Sequence, residues 1–430
     1  MPTDACPDEK RDRVGSLTLI AGCGYVASTL WESLELPIGT MTQLTGLAFI
    51  AFWCIDVLMG RRRPILTSAY LLLLSLIFFW SIATTYWSYA PVVSMSTAVS
   101  VLALGVSSCV IADVFRDRLE TLTVSLIVGA TPLALFTLAQ SAEYVEQQGV
   151  VGRTTFADFD QNTLAFYLAV GLAACFYVMA GRRTRIASIA VVLPAVLCAM
   201  AIIKTGSKTG VVALILVTVL GVVMSSRSLP RALLAGTAAV LGLYAYQMML
   251  SSSLVPSRVQ EFLASPQAMD SRTEIINQYL QSWPDWLLQG VGAGADAEYL
   301  RENTGFYLNA HGGFWKLLIE TGLVGMLLWA ALLAVIVTKG LKSPGKGFLL
   351  LALPVLACFM FTLGPWLQNV LWVVVGVALM SPEPLSHDEH ARQGHASAGS
   401  GASSDSGPTA ASSAESGRLV ESGFRSDPPT

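Results

Sequence analysis

The chain has 430 residues, 53% hydrophobic and only 13% charged, with a net charge of −3 and a mean hydropathy of +0.59. Soluble domains carry about 25% charged residues, so a wholly solvated protein is excluded. The small net charge and the lack of a basic–aromatic stripe exclude nucleic acid as a partner.

In chain order, residues 1–13 are a polar segment with no cleavage site after the first apolar run, which therefore reads as a retained span. Uncharged apolar runs such as 65–87 exceed the roughly 20 residues needed to cross a bilayer. Twelve spans are predicted, at 14–31, 39–60, 65–87, 90–112, 120–142, 163–181, 186–203, 209–226, 232–251, 321–339, 347–364 and 366–382. The fold class expected is an all-α polytopic membrane protein. Cations test the count, because Lys and Arg accumulate in short cytoplasmic loops. With the N-terminus inside, the cytoplasmic loops hold sixteen Lys and Arg, the C-terminal tail three and the opposite side seven. Both termini are then expected in the cytoplasm.

The domain plan follows: 1–13 a cytoplasmic segment, 14–251 spans 1–9, 252–311 a long outer loop, 312–382 a half-helix with spans 10–12, and 383–430 a tail. The loop carries helical pattern at 274–283 and the glycine run GVGAGA at 290–295. A loop of that length is usually functional or separately folded. The Ser-, Gly- and Pro-rich tail reads as disordered, and its His387, His390 and His395 as solvated. Seven cysteines scattered without CxxC spacing argue against metal or redox chemistry, so no cofactor and no metal are expected.

Seven outer cations stand against the topology rule: Arg153, Lys204, Lys208, Arg258, Arg272, Arg301 and Lys316. Arg153, Lys204, Lys208 and Arg272 come from three separate loops, GRTTFADFDQN (152–162), KTGSKTG (204–210) and DSRTEIINQYL (270–280). Cations held near a bilayer mark ligand paths, and converging Arg and Lys side chains suit a pyrophosphate. The plainer alternative is snorkelling to head groups, or pairing with Asp158, Asp160, Asp270 or Glu274.

The stretch NAHGGFWKLLIETGLVG (309–325) holds His311, the single histidine outside the tail. Residues 312–339 outnumber what one span needs, and Thr321-Gly322 offers a break. A half-helix at about 313–320 is therefore expected, with a span starting near Leu323. The half-helix dipole disfavours a second positive charge before its N-terminus, which would leave the imidazole neutral and able to take a proton. Lys316 and Glu320, four apart, suit a pair on one helix face. On spacing alone a structural or capping role for His311 is the better reading.

The run His311-Gly312, then Glu320-Thr321-Gly322-Leu323-Val324-Gly325, resembles the signature of the O-antigen ligase and polysaccharide polymerase family. Residues 152–173 resemble its Arg…Asp-x-Asn stretch, with Arg153 and Asn162 matching. Residues 205–216 resemble its Ser-Arg loop, with Lys208 where the family commonly has Arg. Residues 271–295 resemble its Arg…Trp…Pro…Gly-x-Gly run, with Arg272 matching. The resemblance covers about residues 120–380. Gly312 departs from the polar neighbour that usually follows the histidine.

The resemblance implies a C-type glycosyltransferase of the bacterial inner membrane, with the 252–311 loop in the periplasm. Its donor would be a glycan on undecaprenyl pyrophosphate, and its acceptor another lipid-linked glycan in a polymerase or lipid A-core in a ligase. His311 would be the general base. Arg272, Arg153 and Lys208, with Lys204 assisting, would hold the pyrophosphate, and Asn162, Asp160 and Glu320 would support the site. Membrane lipids and other polysaccharide-assembly proteins are the remaining partners implied. Polymerase is the favoured branch, and a transporter or flippase is the competing class. Transporters place polar groups near the bilayer midplane, whereas here they gather on one face.

Overall fold

The computed structural model describes residues 14–32, 34–37, 39–62, 64, 67–139, 143–145, 150–153, 160–181, 189–224, 236, 271–305, 310, 312–360, 364 and 367–381. Residues 383–430 are a separate unit and lie outside that description, and nearly all of the ninth predicted span, 232–251, lies outside it too. At 143–145, 150–153 and 271–274 the backbone alone is described.

Among the described residues the helices begin with α1 (Ser16–Ser28, continued by a 3-10 turn to Trp31), α2 (Met41–Leu58), α3 (Ser68–Thr84), α4 (Pro91–Val114), α5 (Leu119–Ala139), α6 (Gln161–Ala180), α7 (Val192–Lys204) and α8 (Lys208–Met224). They are followed by α9 (Ser271–Gln281), α10 (Asp296–Thr304), α11 (Gly313–Gly340), α12 (Lys346–Met360) and α13 (Asn369–Leu379). Among the described residues the strands form two short antiparallel hairpins, β1 (Glu35–Leu36) with β2 (Gly39–Thr40) and β3 (Glu143–Val145) with β4 (Val150–Arg153). Helices α2, α4, α5, α6 and α11 are long and apolar enough to cross a membrane, and α1, α3, α7, α8, α12 and α13 are apolar but shorter. The chain is an all-α membrane protein.

Helix α6 is the centre of the bundle. It is apolar on every side, the pattern of a helix surrounded by protein, and it packs against α5, α7, α8 and α12. Its start is fixed by Asp160, whose carboxylate accepts from the backbone N–H of Asn162 (2.7 Å) and Thr163 (3.2 Å) and from the Thr163 hydroxyl (2.6 Å). That is an N-cap satisfying donors the helix cannot satisfy itself. Helix α4 packs on α3 and α13, and α11 on α3. Helix contacts are close where residues are small: a Cβ at Gly129 of α5 would stand 2.4 Å from the Ala27 carbonyl of α1. Elsewhere polar pairs tie helices together. Arg62 and Asp113, both buried, meet at 2.6 Å, and Trp53 Nε1 donates to the same carboxylate at 2.9 Å.

A second, smaller core belongs to residues 275–319. Ile275 and Tyr279 of α9, Trp286, Val291, Tyr299 and Leu300 of α10, Ala310 and Ile319 of α11 bury one another. The Trp286 indole donates to the Tyr279 carbonyl at 2.9 Å, and the Tyr279 and Tyr299 rings stack at 6.1 Å. The described part of the long connection is thus folded around its own aromatic centre.

Candidate functional site

Helix α11 breaks at Gly322, whose φ of 67° and ψ of −174° no helix contains. A positive φ suits glycine, which has no Cβ to clash. The break frees backbone groups that must find new partners, and the glycine loop 290–294 supplies them. Val291 N–H donates to the Ile319 carbonyl (2.9 Å), Gly292 N–H to the Glu320 carbonyl (3.0 Å), and Leu323 N–H to the Leu287 carbonyl (2.7 Å). Trp80 Nε1 of α3 donates to the Thr321 carbonyl at 2.9 Å, and Trp87 Nε1 to the Gly290 carbonyl at 3.1 Å. The approach leaves no room for side chains. A Cβ at Gly290 would stand 2.3 Å from the Glu320 carbonyl oxygen, and one at Gly322 would stand 2.4 Å from that of Leu288. The two glycine motifs are one interlock, and α3 closes it.

Beside this interlock sits a charged triad. Lys316 Nζ lies 3.1 Å from Asp296 Oδ1 and 3.3 Å from Glu320 Oε1, and both acidic side chains are fully buried. Two buried carboxylates facing one ammonium leave an excess negative charge unless a carboxyl holds a proton. Asp296 does more than pair: its Oδ2 accepts the Ala310 backbone N–H at 2.7 Å. Its own carbonyl accepts the Tyr279 hydroxyl at 2.8 Å. Burial raises the Tyr279 hydroxyl well above its ordinary pKa, with Asp296 and Glu320 adding to the effect, so the phenol stays a donor.

Four other expected residues, Asp160, Asn162, Lys204 and Lys208, lie around the starts of α6 and α8. The Ser207 hydroxyl donates to Asn162 Oδ1 at 2.8 Å and accepts the Gly210 N–H at 3.1 Å, so the loop before α8 is pinned to the first turn of α6. Lys208 is the first residue of α8. Lys204, ending α7, donates to the Leu138 carbonyl near the end of α5 at 2.7 Å, the place where a cation complements a helix C-terminus. Close by, Tyr167 of α6 donates to Gln368, and Glu32 Oε2 accepts from Asn369 through its backbone N–H (3.1 Å) and side-chain amide (2.7 Å). Burial raises the Glu32 carboxyl above the usual carboxylate range, against the lowering effect of these hydrogen bonds.

Of the expected site residues, Asn162, Asp160, Lys204 and Lys208 form one group around the α6 and α8 N-termini. Glu320 belongs to the second group, with Lys316 and Asp296. Arg153 ends β4 and Arg272 is the second residue of α9, both known by backbone. Arg272 shares its helix with Tyr279, whose hydroxyl bonds the Asp296 carbonyl. His311 lies outside the described residues, between Ala310, which Asp296 holds, and Gly312, the N-cap of α11. Sequence reasoning overlooked Asp296, Ser207, Glu32 and Tyr167. Asp296 carried a signal in hindsight, an acid directly after a GVGAGA run, but its meaning depends on which helix that loop meets.

These elements define an all-α membrane protein whose polar side chains cluster where α6, α8 and α11 begin. No protein-family model matches the chain. It is similar to the exopolysaccharide production protein ExoQ of Rhizobium meliloti (strain 1021), with 25% identity over 308 residues that cover 66% of this chain and 69% of that protein.

Proposed function

We propose that the chain is a membrane glycosyltransferase of the O-antigen ligase and polymerase type, acting as a polymerase of a surface polysaccharide. It would move a glycan from undecaprenyl pyrophosphate to a hydroxyl of an acceptor glycan on the periplasmic side. The observation that carries the reading is the similarity to an exopolysaccharide production protein along two thirds of the chain. The loop between Lys204 and Lys208, pinned to the first turn of α6 through Ser207, supports it.

The chemistry asks little of the protein. The donor is already activated, because its leaving group is a pyrophosphate, so no nucleotide is consumed. Arg272, Arg153 and Lys208 would stabilise the negative charge that grows on that group in the transition state, with Lys204 close by on the same loop. His311 would accept the acceptor hydroxyl's proton as that oxygen forms the new glycosidic bond and the bond to pyrophosphate breaks.

The test is transfer from a purified lipid-linked donor by the protein in lipid nanodiscs, for wild type and His311→Ala. Chain extension on a lipid-linked acceptor is expected, with a loss of about a hundred- to ten-thousand-fold in His311→Ala, as for other general bases. Transfer to lipid A-core in place of extension would make the protein a ligase. Donor translocation without any new glycosidic bond would overturn the reading in favour of a flippase.

A further inference from the structure

We infer that Asp296 is the positioning residue of this site, fixing the connection that carries His311 against the helix that carries Arg272. The inference rests on the transferase reading above. Three bonds from one residue support it. Its Oδ2 takes the Ala310 N–H, one residue before His311; its Oδ1 takes Lys316 Nζ in the first turn after His311; and its carbonyl takes the Tyr279 hydroxyl on the Arg272 helix. The chain on both sides of His311 is therefore referenced to one carboxylate, and that carboxylate's backbone is referenced to α9.

The surroundings make the anchor stiff. Asp296 is fully buried at the start of α10, directly after the glycine interlock, and its neighbours Val291 and Ala310 sit in the aromatic core with Tyr279 and Tyr299. The ammonium of Lys316 makes its bond to Asp296 charge-assisted and so stronger than a neutral one. Lys316 serves here as the counter-ion of Asp296 and Glu320, which sets it apart from the cations proposed for the pyrophosphate. The cost of a loose anchor is large in such a site, because a misplacement of about 1 Å can lower a rate by about a hundredfold.

Asp296→Ala removes both side-chain bonds. Asp296→Asn keeps an oxygen able to accept one of them, and in both variants Lys316 retains Glu320 as a partner, which favours folding. The experiment measures kcat and donor KM per folded molecule in nanodiscs, together with hydrogen–deuterium exchange of peptides spanning residues 306–316. The expected result is a fall in kcat of about a hundredfold in Asp296→Ala and a smaller one in Asp296→Asn, donor KM nearly unchanged in both, and faster exchange at Ala310. Should Asp296→Ala fail to fold, the same split is read in Asp296→Asn.

Unchanged kcat per folded molecule, with only a lower melting temperature, would reduce Asp296 to a stabilising residue and overturn the inference. Unchanged exchange at Ala310 would overturn it as well, by removing the anchor itself. A wild-type protein that transfers no glycan would instead sink the transferase reading, while the exchange result would still decide whether Asp296 fastens the connection.

Discussion

Arg272 and Lys208 allow charge to be separated from geometry. A guanidinium grips pyrophosphate oxygens through two parallel hydrogen bonds, whereas an ammonium acts as a point charge. Arg272→Lys is therefore expected to lose transfer nearly as completely as Arg272→Ala. Position 208 already uses a point charge at the first residue of α8, so Lys208→Arg should retain activity and Lys208→Ala should lose it. Donor-binding affinity and transfer rate, measured for each variant, check this; full activity in both alanine variants would remove these residues from the pyrophosphate. Legibility at this scale followed distance along the chain. Lys316 and Glu320 were readable as a pair because four residues bring side chains together on any helix. Asp296, twenty residues before Lys316, was not, since its partnership depends on a glycine loop docking on a helix break.

The glycine interlock is the element on which the site depends. A break near Thr321-Gly322 was expected from an apolar run too long for one span, and the backbone at Gly322 is indeed non-helical. What no local pattern foretold is the loop that completes it, because the carbonyls of Ile319 and Glu320 are met by N–H groups about thirty residues earlier. Glycine recurs at 290, 292, 294 and 322 with positive φ, and the tight approach at 290 and 322 is between backbones. Gly322→Ala would force a Cβ into a positive-φ region essentially reserved for glycine, at about 1–3 kcal/mol, and into the Leu288 carbonyl. A total destabilisation of about 2–4 kcal/mol is expected, read as a lower melting temperature in detergent. Transfer should fall with it, since Glu320 and Lys316 stand within two turns of the break. A Gly322→Ala protein as stable and active as wild type would show that α11 tolerates a continuous helix there.

At the scale of the whole molecule, the apolar runs were the legible feature. Helices coincide with eleven of the twelve predicted spans among the described residues, and nearly all of the remaining run, 232–251, lies outside them. Hydropathy locates such helices because a membrane demands a continuous apolar surface, but it is silent about neighbours. That α6 is central, with α5, α7, α8 and α12 around it, is a consequence of packing. The split of sixteen cations against seven predicts an orientation that labelling can check. In a cysteine-free background, Leu280→Cys on α9 and Leu341→Cys in the turn after α11 present exposed positions, 42% and 72% accessible. They lie on opposite sides of the apolar half of α11. A membrane-impermeant maleimide should label position 280 in spheroplasts with an intact inner membrane and position 341 only after permeabilisation. The reverse pattern would turn the protein over, placing the Arg272 helix and the Asp296 anchor in the cytoplasm. There a transferase drawing on periplasmic lipid-linked glycans could not work.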